Sequence, residues 1–276
     1  MSGMKRMGDA IFGGSFAVLL LLTAAFLLLP IVMTTVMSFD NRDFLGRFPP
    51  PDVSWRWYAA FFGDAYFMTG LRNSLVLSLV ASVIATSAGV AAAVVLDRYA
   101  VPGKELISAF LLSPLVVPTV ILGFAVLVFA SLIGVTNGFT RLIGGHIILV
   151  MPYTFRTTLA SLVGIRRSLT EAALILGANE KQAFWDITFP LAKTGIVAGL
   201  VLGFALSFEE VSLSLFLFDP ASYTLPVAIL STMRAQFNLT LASASVVIMV
   251  FIVLLVVMLE RLFGLDKVVG SGLYKS

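Results

Sequence analysis

The 276-residue chain has no cysteine and a single histidine, His146. The first absence excludes disulfides and thiolate metal ligands. The second argues against a metal site, since no carboxylate cluster lies near His146 in sequence, and favours a packed or interfacial histidine. Charge is scarce too. Only 12% of residues are Asp, Glu, Lys or Arg, about half the usual share in a soluble domain. Too few polar side chains exist to coat a surface facing water. Missing as well are a G-x-x-x-x-G-K-[ST] phosphate cradle, an H-E-x-x-H pair and a nucleophile elbow. These absences predict that the chain is no enzyme and holds no cofactor of its own.

What the chain has in quantity is apolar sequence: 59% hydrophobic residues and a mean hydropathy of +1.02. A bilayer core about 30 Å thick needs about 20 apolar helical residues to cross it. Six segments qualify, at about Phe16–Met37, Leu71–Leu96, Leu106–Ile133, Leu142–Leu162, Lys193–Leu217 and Leu241–Phe263. An all-α, polytopic membrane fold follows, read as one domain over residues 1–276. Pro114 and Pro118 interrupt the third segment; Pro152 and Arg156 interrupt the fourth. These prolines mark broken helices, which membranes tolerate where the freed backbone faces protein or a cavity. Lys5 and Arg6 precede a stretch without charge from Ala10 to Phe39. That is too long for a cleaved signal, so an uncleaved first span is expected.

Basic residues set the orientation. With the N-terminus inside, cytoplasmic segments hold Lys5, Arg6, Arg98, Lys104, Arg166, Arg167, Lys181, Lys193, Arg261, Lys267 and Lys275. Outside segments hold Arg42, Arg47, Arg56, Arg72, Arg141 and Arg234. Eleven against six puts both termini in the cytoplasm. The net charge of +3 sits at membrane edges and does not imply nucleic-acid binding. The outside loop, about Ser38–Gly70, is stiffened by Pro49, Pro50 and Pro51. It then crowds Trp55, Trp57, Tyr58, Phe61 and Phe62, either as an interfacial aromatic helix or as a surface for an external partner.

A charged island, about residues 166–190, separates the fourth and fifth segments and includes EAALILGANEKQAFWDITFP. Ser168 or Thr170 can cap a first short helix with Glu171 in its first turn. Ala172, Ala173 and Ala178 are small enough for close helix contact. Gly177 can end the helix at positive φ. Residues Asn179–Trp185 can form a second turn or two, and Pro190 is expected to break the pattern before the fifth span. The spacing resembles the E-A-A, three residues, G, nine residues, I-x-L-P loop of permease subunits of binding-protein-dependent ABC importers, with Phe189 in place of the pattern's Leu. The resemblance implies a MetI-like, type I importer fold in the bacterial inner membrane. Its implied partners are a second, homologous permease, two ATPase subunits that bind ATP and Mg, and a periplasmic binding protein. It makes Glu171, Ala172, Ala173, Gly177, Ala178 and Pro190 the expected ATPase-coupling residues.

A second constellation is Ser207-Phe208-Glu209-Glu210-Val211-Ser212. Acids inside an apolar segment face protein or a water-filled cavity. One of them can line a pathway and attract a cation. Alternatively the pair is structural, matched by Arg234 or a partner subunit, or lies at a mouth. Leu112-Ser113-Pro114, His146 with Met151-Pro152-Tyr153, and Ser207–Val211 followed by Thr224-Leu225-Pro226 are similar to the spermidine/putrescine permease branch. That likeness implies a polyamine-type cargo, with Glu209, Glu210, Tyr153 and Phe208 along its path. Leu115 departs from it, standing where polyamine members often carry an acid. The same branch includes relatives for amino-acid-like compounds, aminophosphonates and ferric iron.

Overall fold

The computed structural model describes residues 2–44, 46–236 and 238–263. Lys267 and Lys275, used for orientation above, lie outside the described residues. Twelve α-helices follow in order: α1 Ser2–Met37, α2 Arg56–Gly63, α3 Ala65–Arg98, α4 Lys104–Leu112, α5 Thr119–Leu132, α6 Gly138–Val163, α7 Arg167–Ile175, α8 Glu180–Ala183, α9 Phe189–Glu209, α10 Ser214–Leu217, α11 Leu225–Ala235 and α12 Thr240–Phe263. Among the described residues the only extended pairings are two isolated bridges.

Each expected span has a counterpart. Phe12–Met37, Ala65–Arg98, Gly138–Val163, Glu180–Glu209 and Thr240–Arg261 are long and apolar enough to cross a bilayer, and Lys104–Leu115 with Thr119–Leu132 forms a pair bent by 106°. The bend lies where Pro114 and Pro118 predict it. Pro114 sits in a 3-10 turn, and Pro118 takes the extended backbone that precedes α5. Pro152 does not break its span: α6 runs through it. Here α6 packs against both α3 and α9, and such neighbours stabilise a proline-bearing membrane helix. The fifth span also differs from expectation. It starts earlier, at Glu180, and ends at Glu209 rather than Leu217.

The chain divides into two compact units. In the unit of Met1–Asp64 with Thr232–Met249, the apolar flank of α1 is exposed, as at Leu21, Phe26 and Leu27. The loop after α1 is tied down around Asp40, whose carboxylate accepts from the backbone N and guanidinium of Arg42. The Trp57 indole donates to the Asp40 carbonyl at 2.7 Å, and Met37, Trp57 and Leu239 share a small core. Helix α2 carries part of the aromatic stretch, burying Trp57 and Phe61 while Phe62 stays exposed.

In the unit of Ala65–Ser231 with Val250–Ser276, α3, α6 and α9 pack side by side. Small residues permit this. A Cβ on Gly89 would lie 2.9 Å from the Phe155 backbone nitrogen, so only glycine lets α3 approach α6 so closely. Leu96, Phe155, Leu162 and Ile196 fill one core cluster, and Leu77, Leu142, Leu149, Leu213 and Leu217 another. The first cluster takes in Ala192 and Ile196 near the start of α9, and the second takes in Leu213 and Leu217 just beyond its end.

Candidate functional site

The charged island folds as a helical hairpin continuous with the fifth span. Helix α7 begins at Arg167 after an extended Arg166, with no side-chain cap. The expected Ser168 and Thr170 caps are therefore not used, because both lie inside the helix. Glu171 and Ala172 are exposed, and Ala173 and Ala178 are half-buried. The helix closes as a Schellman motif: Ala178 N donates to Ala173 O at 3.0 Å, and Gly177 N to Leu174 O at 3.1 Å. Gly177 takes φ +95, and a Cβ there would meet nothing within 4 Å. The constraint on Gly177 is therefore backbone conformation, not a packed turn.

Asn179 opens α8 with a reciprocal capping box to Gln182. A π-helical segment, Phe184–Thr188, then leads into α9 without a gap. Pro190 is exposed in the first turn of α9 and does not end the helix as expected. Its missing N–H falls where the ladder has already shifted to the wider register, with Phe189 N bonded to Phe184 O. The result is a rod of 30 residues, Glu180–Glu209. At 1.5 Å per residue it is about 45 Å long, well beyond the ~30 Å hydrocarbon core.

Three contacts tie this hairpin to the end of α3. Arg98 donates to the Thr188 hydroxyl. Tyr99 donates to Glu180 Oε2 at 2.8 Å, and Arg167 to the Asp97 carbonyl at 2.7 Å. The Glu180 carboxylate raises the Tyr99 phenol above its ordinary value. A cleft of ≈ 220 Å³ opens among Arg98, Tyr99, Arg167, Glu171 and Thr188. Sequence reasoning missed these ties, because their partners are 70 to 90 residues apart. The Asn179-x-x-Gln182 cap was readable. The outward side of the hairpin is apolar: Ile175 is 85% and Leu176 87% exposed, and Leu169 is exposed as well.

At the other end of the rod the chain leaves the helix at Glu210, which is extended with φ −70 and ψ 120. The acidic pair therefore stands at a helix break rather than inside a longer span. The Glu210 carboxylate accepts from Leu213 N at 2.9 Å, and its carbonyl accepts from the Ser214 hydroxyl at 2.9 Å. Glu210 thus starts the short α10. Glu209 is exposed. Among the described residues of its own unit, neither acid is in an ion pair. Tyr153 is half-buried in α6. Phe208, expected on the pathway, is 1% exposed and packs on Phe204 and Phe251. One position along a helix turns a side chain about 100°, which separates buried Phe208 from exposed Glu209. His146 is fully buried and bridges Ser207 at 2.7 Å and Ser214 at 3.0 Å. It is a packed histidine. No group of three metal-ligating side chains forms among the described residues.

Comparison with known proteins agrees with this geometry. Residues 85–264 match the family described as the binding-protein-dependent transport system inner membrane component. The spermidine/putrescine transport system permease protein PotC of Shigella flexneri is 29% identical over 253 residues, covering 90% of this chain and 93% of that protein. The putrescine transport system permease protein PotI of Escherichia coli (strain K12) is 30% identical over 228 residues, covering 80% of each. A solved chain of a bacterial alginate ABC transporter, in complex with an alginate pentasaccharide-bound periplasmic protein, shares the fold with a TM-score of 0.68. It is 19% identical and covers 91% of this chain and 93% of that one. The chain therefore belongs to the binding-protein-dependent transport system inner membrane components, as a multi-pass permease subunit of an ABC importer and not an enzyme.

Proposed function

We propose that this permease passes a small amine-bearing cation of the polyamine type from the periplasm to the cytoplasm, and that Glu209 is the acid that meets it. The observation that carries this reading is an exposed carboxylate, without a counter-ion among the described residues, at the C-terminal end of a membrane helix. The last turn of α9 holds no basic residue. A helix C-terminus is the negative end of the helix dipole, so an acid there is the wrong sign for helix stability. It is the right sign for a cation, which would meet free carbonyls and a carboxylate together. Glu210 already has local partners, which leaves Glu209 as the available charge. The two polyamine-permease relatives support the same cargo class. The alginate transporter's fold does not bear on cargo, because at that identity only the fold is shared.

The drive would come from partner ATPase subunits that bind ATP and Mg. The exposed apolar side of the hairpin, at Leu169, Ile175 and Leu176, suits a docking contact with such a subunit. Because α8 runs into α9 as one rod, a push on the hairpin would move the fifth span as a lever. A second permease and a periplasmic receptor complete the expected assembly, with both termini of this chain in the cytoplasm.

The test is reconstitution of the permease pair with its ATPase and receptor in liposomes. ATP-dependent accumulation of labelled spermidine or putrescine, competed by other diamines but not by a neutral disaccharide, is the expected result. Accumulation of the disaccharide without that of either amine would overturn the cargo assignment.

A further inference from the structure

We infer that His146 is a positioning residue for the acidic pair: through Ser207 and Ser214 it fixes the helix break that presents Glu209. The bridge spans that break. Ser207 lies in the last turn of α9, two residues before Glu209, and Ser214 is the first residue of α10. One imidazole therefore joins the helix that ends at the acids to the helix that begins after them.

Proton accounting assigns each role. The Ser214 hydroxyl has one hydrogen and donates it to the Glu210 carbonyl. Its oxygen must then accept from His146 Nε2–H. That leaves Nδ1 as the acceptor for the Ser207 hydroxyl, so a neutral ring with its proton on Nε2 satisfies every group. The resulting chain runs from Ser207 through His146 and Ser214 to the backbone of Glu210. His146, Ser207 and Ser214 are all buried, where an unpaired hydroxyl is costly. The ring belongs to α6, where Gly145, Leu149 and Val150 are buried as well, so it is anchored on a helix other than the two it joins. A leucine at this position would fill similar space but leave the Ser207 hydroxyl without its acceptor and the Ser214 oxygen without its donor. The break would then lose both of these side-chain hydrogen bonds to α6.

This inference rests on the reading of Glu209 as cargo-facing, and its test keeps the two separable. Ser212→Cys, between the acids and α10, gives the chain its sole thiol, since none is native. Complexes assembled with the partner permease and ATPase in membrane vesicles are treated with N-ethylmaleimide, and the rate is read per assembled complex. Ser214→Ala and His146→Ala should each raise that rate by about tenfold, as loss of one buried hydrogen bond allows. His146→Gln, whose amide can still donate to Ser214, should fall between wild type and His146→Ala. The spermidine KM should rise in the same order. A merely structural role would lower the amount of complex and leave the rate and KM per complex unchanged. If His146→Ala does not assemble, Ser214→Ala decides, because it removes only a hydroxyl. An unchanged rate in Ser214→Ala overturns the inference. A raised rate in a transporter whose parent takes up no spermidine upholds the inference and sinks the cargo reading.

Discussion

At the residue scale, two neighbouring acids have different fates because, among the described residues, the Glu210 carboxylate finds a hydrogen-bond donor and that of Glu209 does not. Glu210 accepts from Leu213 N and starts α10, whereas Glu209 is exposed at the end of α9. Glu210→Gln should therefore cost uptake about threefold or less, because the amide oxygen still accepts the same N–H. The pairing was not legible in the sequence, where the two carboxylates differ by one position and nothing else. Gly177 was legible as a helix end, but its tolerance follows from φ +95 and open space. Gly177→Ala should retain assembly and cost about 1–2 kcal/mol in the hairpin, with ATPase-coupled uptake reduced. Uptake at the wild-type level at equal abundance would rule out a coupling role for this turn. Asp40 gives a pH prediction. The Arg42 guanidinium holds its carboxyl below the ordinary value of 3.8. A depressed carboxyl stabilises above its unfolded value, and that contribution is lost as pH falls through the lower folded value. Acid titration of Trp57 emission in a protein with Trp55 and Trp185 replaced should show a transition below about pH 4. Asp40→Asn should abolish it.

At the scale of elements, hydrophobic length located the six spans and Pro114 with Pro118 located the break in the third, because both signals are local. The fifth span was misplaced at both ends for physical reasons that a hydropathy window does not contain. Its start is extended by a capping box and a π segment that absorbs Pro190. Its end is set by Glu210 capping the next turn. The ties from Asp97, Arg98 and Tyr99 to the hairpin are long-range contacts, which no local pattern reveals. They make the end of α3 a second support for the hairpin. Tyr99→Phe removes the bond to Glu180, and Arg98→Ala removes the bond to Thr188. Together they should lower ATP-driven uptake several-fold while ATPase association, measured by copurification, stays intact. Loss of ATPase association instead would assign these residues to docking rather than to transmission.

At the scale of the whole molecule, scarcity of charge defined the environment, and the placement of Lys and Arg predicts the orientation. Val53→Cys, at an exposed site in the loop after α1, should be labelled by an impermeant maleimide from the periplasmic side. Leu176→Cys in the hairpin should be labelled only from the cytoplasmic side. Reversal of that pattern would invert the topology. The family was legible from the spacing of Glu171, Gly177 and Pro190, which the hairpin explains as one closed turn followed by one rod. The proposed cargo rests on fewer residues, above all on Glu209. The most direct measurement is therefore the initial rate of spermidine uptake by the reconstituted transporter carrying Glu209→Gln, at equal assembled complex. Removing that charge should lower the rate at low spermidine by about tenfold or more, as loss of electrostatic capture does. A Glu209→Gln transporter that takes up spermidine at the wild-type rate would contradict the account.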